Sequence, residues 1–275
     1  MKNVMDAFRL DGKVAVITGG CGLLGVQHAE AVMQAGGTAV LWDVAPDAAE
    51  RAAELGKPHG DRCLGMRVDI TRAETVAEGL AAVLEVCGRV DILINNAAND
   101  PKVSADQGFA WSRFENFAAG MWNNDIAVGL TGAFLCAQAA GSHMAENGGG
   151  VILNVASDLG VIAPDQRIYR KDGLSDDQQP AKPVTYSVVK HGLIGLTKYL
   201  ATYWADRAVR VNAISPGGVF NGQPDDFMTK LTALIPMGRM AAKDEYQAAV
   251  LFLISDASSY MTGANLSVDG GRTCW

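Results

Sequence analysis

Short runs of β-branched and other apolar residues alternate with longer Ala-rich amphipathic stretches along almost the whole chain. The runs Val14–Thr18, Ala39–Asp43, Cys63–Val68, Ile92–Asn95, Val151–Ala156, Val209–Ile214 and Asn265–Val268 predict seven strands. Between them, stretches such as Leu24–Ala35, Glu74–Val86 and Leu130–Met144 repeat apolar residues at the helical period. Strands that read as continuous apolar runs are covered on both faces, as in a parallel sheet between helix layers. The expected fold class is therefore α/β, a doubly wound seven-stranded parallel sheet with helices on both faces and right-handed crossovers. The expectation is one domain over residues 1–275, with no internal repeat.

One stretch breaks the rhythm. From Leu159 to Pro183 the chain is polar and charged, with three prolines, which predicts a lid-like insertion at about 159–183 beyond the end of a strand. Its Arg167, Arg170 and Lys171 suit an anionic substrate group, yet nearby aspartates balance them. A solvated surface excursion is the competing reading.

Composition narrows the class. Hydrophobic residues make up 49% and charged residues 19%, an ordinary globular balance. A net charge of −7 argues against nucleic acid as a partner. The five cysteines form no Cys-x-x-Cys pair, which fits reduced thiols, and no metal site is expected. Met1–Arg9 lacks the pattern of a signal peptide and no apolar run is long enough to span a bilayer. Together these predict a cytoplasmic protein with no membrane partner.

The first strand runs into Thr18-Gly19-Gly20-Cys21-Gly22-Leu23-Leu24-Gly25 and then a helix. Gly20-x-Gly22-x-x-Gly25 in that context is a dinucleotide fingerprint of Rossmann type. Its glycines allow the turn and the close approach of backbone to a pyrophosphate held at the helix start. Asp43 ends the next strand about twenty residues on, where a carboxylate binds ribose hydroxyls and repels a 2′-phosphate. No Arg or Lys follows at once, so NAD is the expected cofactor. Asp43 could also cap a helix starting near Pro46.

The chain resembles the short-chain dehydrogenase/reductase family over nearly its whole length, in the single-domain branch with a Tyr-x-x-x-Lys active site. The resemblance is carried by the Thr18–Gly25 turn, Asp69-Ile70, Asn95-Asn96-Ala97-Ala98, Ser157, Tyr186-Ser-Val-Val-Lys190, Arg210-Val-Asn-Ala-Ile-Ser-Pro-Gly217 and Asp269-Gly-Gly271. It implies a catalytic set of Ser157, Tyr186 and Lys190. Four residues apart on one helix, Tyr186 and Lys190 share a face, so the ammonium is expected to pull the phenol into a useful range. For the cofactor it implies Gly19, Gly22, Leu23, Leu24, Gly25, Asp43, Asp69, Ile70, Asn95, Ala97, Tyr186, Lys190, Pro216, Gly217 and Val219. Asp69 and Ile70 would line the adenine side, and Pro216 to Val219 the nicotinamide side. Asn212 and Asp269 read as structural polar groups.

Three departures from the family pattern stand out. The middle glycine of the turn comes one residue early, with Leu23 in its usual place. Gly129 stands where the long fourth helix usually carries an asparagine that helps a proton-relay water. Ser157 and Tyr186 are separated by about twice the usual interval, because the insertion lies between them.

The function implied is hydride transfer between NAD and a secondary alcohol or ketone. Leu196–Trp204 and the ending from Gly263 are similar to a subgroup that modifies bacterial surface sugars, which suggests a sugar, polyol or sugar nucleotide as substrate. A non-catalytic NAD-binding protein, or an epimerase or dehydratase with tightly held cofactor, stays open at this point. The resemblance also implies a homodimer or homotetramer formed through Phe117–Met144 and Val184–Tyr203, where Phe134, Leu196 and Tyr199 are apolar.

Overall fold

A computed structural model of the protein describes residues 3–101, 103 and 108–275. Its seven strands are β1 (Val14–Thr18), β2 (Thr38–Asp43), β3 (Cys63–Arg67), β4 (Ile92–Asn95), β5 (Gly150–Val155), β6 (Val209–Pro216) and β7 (Asn265–Val268). They form one parallel sheet in the order β3-β2-β1-β4-β5-β6-β7. β6 outlasts its expected end at Ile214, because Ser215 and Pro216 still pair with Ser267 and Val268.

The order reverses direction between β1 and β4, so the chain leaves a crevice where their carboxyl ends diverge. In open α/β sheets that crevice is where ligands sit. Val16, Val40, Leu93 and Ile152 face one helix layer, and Ala15, Ile17, Leu41 and Leu153 face the other; all are fully buried. Alternate residues of each strand thus feed two cores, which is why these segments read as unbroken apolar runs.

The helices that position the crevice are α1 (Leu23–Gln34), α2 (Ala48–Gly56), α3 (Ala73–Cys87), a long composite rod, and α7 (Val184–Tyr203). The rod joins α4 (Ala119–Ile126), α5 (Gly132–Cys136) and α6 (Ser142–Glu146) through two wider π turns, at Ala127–Thr131 and Ala137–Gly141. Two shorter helices follow, α8 (Asp225–Thr232) and α9 (Gln247–Ile254). All five cysteines are free thiols. No helix among the described residues is long and apolar enough to cross a membrane.

The 159–183 segment is exposed along much of its length, yet part of it is structured and buried. It folds into short 3-10 turns, Gln166–Tyr169 and Asp176–Gln178. Buried Gln179 bonds to Lys171 N and O and to Leu174 O, each at 2.9 Å, and so staples the loop. Ile168 packs with Leu231, Ile235 and Met240 in a small core of its own, with Tyr169 and Phe227 against it.

Candidate active site

The glycine turn is built by steric necessity. Gly19 adopts a left-handed backbone, φ +59°, and a Cβ on Gly25 would lie 2.3 Å from the Gly19 carbonyl oxygen. Only glycine lets the first turn of α1 come this close to the end of β1. Asp43 braces the turn: its Oδ2 accepts from Cys21 N and its Oδ1 from Ala45 N, both at 3.0 Å. It does not cap the next helix, since α2 starts only at Ala48 with Asp47 before it. Across the crevice, Thr18 Oγ1 accepts from the backbone N–H of Asn96 and Ala97, at 3.0 and 3.1 Å. The unsatisfied N–H groups at the start of α1 then face the crevice mouth, an arrangement that favours a phosphate.

A cleft of about 910 Å³ runs along the carboxyl ends of the strands. Gly19, Gly22, Leu23, Leu24, Asp43, Asp69, Ile70 and Ala97 line it over β1 to β4, and Ser157, Tyr186, Lys190, Pro216, Gly217 and Val219 line it over β5 to β7. Two residues expected to bind cofactor do not line it. Gly25 acts only through its missing side chain. Asn95 points into the core, where its Nδ2 donates to Asn154 Oδ1 at 2.9 Å, and its neighbour Asn96 lines the cleft instead. The residues present fit a dinucleotide: a glycine cradle that a Cβ would fill, a helix start and the Asp43 carboxylate in one groove.

At the far end, α7 carries Tyr186 and Lys190 one turn apart. Lys190 is only 5% exposed, and its Nζ donates to Val155 O at 2.7 Å. Burial pulls the lysine down to about 8. Its Nζ is 5.7 Å from the Tyr186 ring centroid, directed at the strand carbonyl rather than the phenol. The expected downward pull on Tyr186 is therefore absent. Burial instead holds the phenol well above its ordinary value, Ser157 beside it counteracts, and Asp100 and Asp158 add to the rise.

Several cleft residues escaped the sequence reading. Ser157 Oγ donates to Asp158 Oδ1 at 2.8 Å, and Asp158 Oδ2 accepts from Arg272 at 2.8 Å. Lys182, paired with Asp100 at 2.7 Å, sits 3.8 Å from the Tyr186 ring centroid. Arg167 and Arg170 point away: they are 83% and 56% exposed and pair with Asp165 and Asp176. Of the three basic residues singled out in the insertion, only Lys171 lines the cleft. Arg272 and Lys182 lie far in sequence from Asp158 and Asp100, and although Asp158 directly follows Ser157, no local pattern marks that it pairs with Arg272. Asn212 and Asp269 hold loops, Asn212 through Met261 O and Ala264 N, Asp269 through Gly271 N and Thr273 N.

A doubly wound parallel sheet, a glycine turn at its switch point and a Tyr–Lys pair beside a serine define a nicotinamide-dependent oxidoreductase that acts on CH–OH groups. The model of the short chain dehydrogenase family matches residues 13–169, and that described as Enoyl-(Acyl carrier protein) reductase matches residues 175–273. The chain belongs to the short-chain dehydrogenase/reductase family. A D-threitol dehydrogenase of Mycolicibacterium smegmatis is 37% identical, over 97% of this chain and 95% of that one. An NAD-dependent glycerol dehydrogenase of Listeria innocua is 34% identical, over 97% and 96%. Among solved structures, a gluconate 5-dehydrogenase from Burkholderia cenocepacia, in complex with NADP and tartrate, has a TM-score of 0.82 at 28% identity, covering 99% of this chain and 100% of that one.

Proposed function

We propose that the protein is an NAD-dependent dehydrogenase that oxidises a secondary hydroxyl of a polyol or sugar, with Tyr186 as the proton-transferring residue. The observation that carries this reading is the convergence of Ser157, Tyr186 and Lys190 on one end of a cleft whose other end holds Asp43. The bound nicotinamide supplies the hydride acceptor. Tyr186 takes the hydroxyl proton in oxidation and returns it in reduction, while Ser157 hydrogen-bonds the same substrate oxygen. Lys190, anchored on Val155 O, would hold the ribose and keep Tyr186 in line with it.

NAD is favoured over NADP because Asp43 stands at the ribose end and Trp42, Val44, Val68 and Thr71 around it bring no cation. A polyol is favoured by the polar far wall, with Asp100, Asp158, Lys182 and Arg272 already paired among themselves. The wall beside Ser157 and Tyr186 thus offers hydrogen bonds from charges that are already paired, and the relatives named for threitol and glycerol act on neutral polyols by their names. The 159–183 segment is read as an insertion of one domain that walls the substrate end through Ile168, Tyr169 and Pro180 to Pro183. A homodimer or homotetramer is supported by Phe134, Val188, Tyr199 and Tyr203, apolar residues exposed on the rod and on α7. Leu196 turns inward to the core.

The test is NADH formation against a panel of polyols, sugars and sugar phosphates, repeated with NADP and with Tyr186→Phe. Turnover with NAD that the variant abolishes supports the reading. Turnover that survives it removes Tyr186 as the acid–base, and faster turnover with NADP overturns the cofactor assignment.

A further inference from the structure

Asp158 and Arg272 are an ion pair inside the catalytic cleft with side chains only 5% and 6% exposed. Burying two charges is costly unless geometry and hydrogen bonds offset the loss of water, so a pair kept at this position calls for an explanation. The turn that delivers Arg272 is purpose-built. Gly270 and Gly271 both take left-handed backbone, and Asp269 accepts from Gly271 N and Thr273 N at 2.9 Å each. On the other side, Asp158 directly follows Ser157. Its Oδ1 accepts from Ser157 Oγ and from Leu159 N, both at 2.8 Å, and Ser157 Oγ in turn accepts from Leu159 N at 3.2 Å.

A serine has one O–H to give. Here the Asp158 carboxylate holds it, while the oxygen that reacts, on Tyr186 or on the substrate, needs the same proton. Hydrogen bonds to an ionised acceptor are about twice as strong as neutral ones, so a bare carboxylate would keep it. Arg272 draws on the same carboxylate through Oδ2 and weakens that hold.

We propose that Asp158 and Arg272 are positioning residues that act through Ser157: the carboxylate retains the serine proton, the guanidinium sets how firmly, and together they govern when Ser157 donates to the reacting oxygen. This rests on Ser157 and Tyr186 being the reacting pair. It makes a prediction with opposite signs. Asp158→Asn releases the serine proton toward Tyr186, so the phenol ionises at lower pH, by about one unit. Arg272→Met leaves the carboxylate undivided and moves the phenol the other way, and Arg272→Lys stays close to the parent protein. The other charged or titratable groups around Tyr186 are unchanged in these variants: Lys182 and Lys190 at 3.8 and 5.7 Å from its ring, Asp100 and Tyr169.

The experiment follows the Tyr186 phenol directly, by NMR of tyrosine labelled at Cζ, with Tyr186→Phe assigning the signal among the six tyrosines. Titrations are compared for the parent, Asp158→Asn and Arg272→Met, and for Ser157→Ala with and without Asp158→Asn. The expected result is a shift to lower pH in the first variant and to higher pH in the second. In the Ser157→Ala background the Asp158→Asn shift should fall to less than about half, since coupled neighbours are not additive. Shifts of equal sign, no shift, or a full shift without the serine would overturn the proposal, the last by showing action through space. If Arg272→Met does not fold, the Asp158 and Ser157 comparison decides alone. A pH profile of kcat with D-threitol and NAD gives the matching activity readout. Phenol shifts as expected, with turnover of no alcohol in the panel, would sink the dehydrogenase reading and leave only the coupling of Asp158 and Arg272 to Tyr186 through Ser157.

Discussion

Val189 occupies the space that a side chain at Gly129 would need: a Cβ there would lie 2.5 Å from Val189 Cγ1. The departure noted in the sequence is thus matched across the helix interface, in the π turn Ala127–Thr131 that faces α7. Gly129→Asn should therefore not improve activity. Overpacking should instead cost about 1–3 kcal/mol, read as a lower Tm, and Val189→Ala in the same chain should recover most of it. An active, fully stable Gly129→Asn protein would refute this.

Tyr186→Phe keeps the ring and its contacts but removes the hydroxyl proposed to carry the proton. Activity on whichever alcohol is turned over should drop by roughly a hundred- to ten-thousand-fold, the range for positioned acid–base groups. Fluorescence titration with NADH should report little change in affinity.

Asp43 serves two purposes, so its removal should show in two measurements. Asp43→Ala loses the acceptor for Cys21 N and Ala45 N, which should lower stability by about 1–2 kcal/mol. With the cofactor placed as proposed it also removes the charge at the ribose end, so the ratio of kcat/KM for NAD over NADP should fall by about tenfold or more. An unchanged ratio would mean that another group chooses the cofactor.

His28 on α1 is 1% exposed, with no well-formed hydrogen bond at either ring nitrogen and only a partial offset from the neighbouring Asn96 side chain. Burial lowers it from 6.5 to about 4. The folded state thus binds fewer protons than the unfolded state between these values. Its contribution is fully present above pH 6.5 and is lost as pH falls through 4, by about 3 kcal/mol. Urea unfolding from pH 7 to 4 should show this slope, and His28→Leu should flatten it.

How much was legible depended on the range over which each feature is written. The end of β6 was missed by two residues because its ladder continues past the apolar run, at Ser215 and Pro216. Asn95 was assigned to the cleft by the family resemblance, but the side chain alternates inward at the end of β4 to reach Asn154. Tyr186 and Lys190 were placed correctly on one face, yet their electrostatics were not. Burial and the Val155 carbonyl, neither visible in a four-residue spacing, set them.

By itself the sequence determined the order of strands and helices, the glycine turn, Asp43 and the Tyr–Lys spacing, because each is a local pattern of adjacent or near-adjacent residues. Only the tertiary structure decided that Arg272 meets Asp158, 114 positions away, that Lys182 reaches Asp100, 82 positions away, and that Val189 fills the place beside Gly129. Such pairs depend on which strand ends the crossovers bring together, and no periodicity along the chain records that distance.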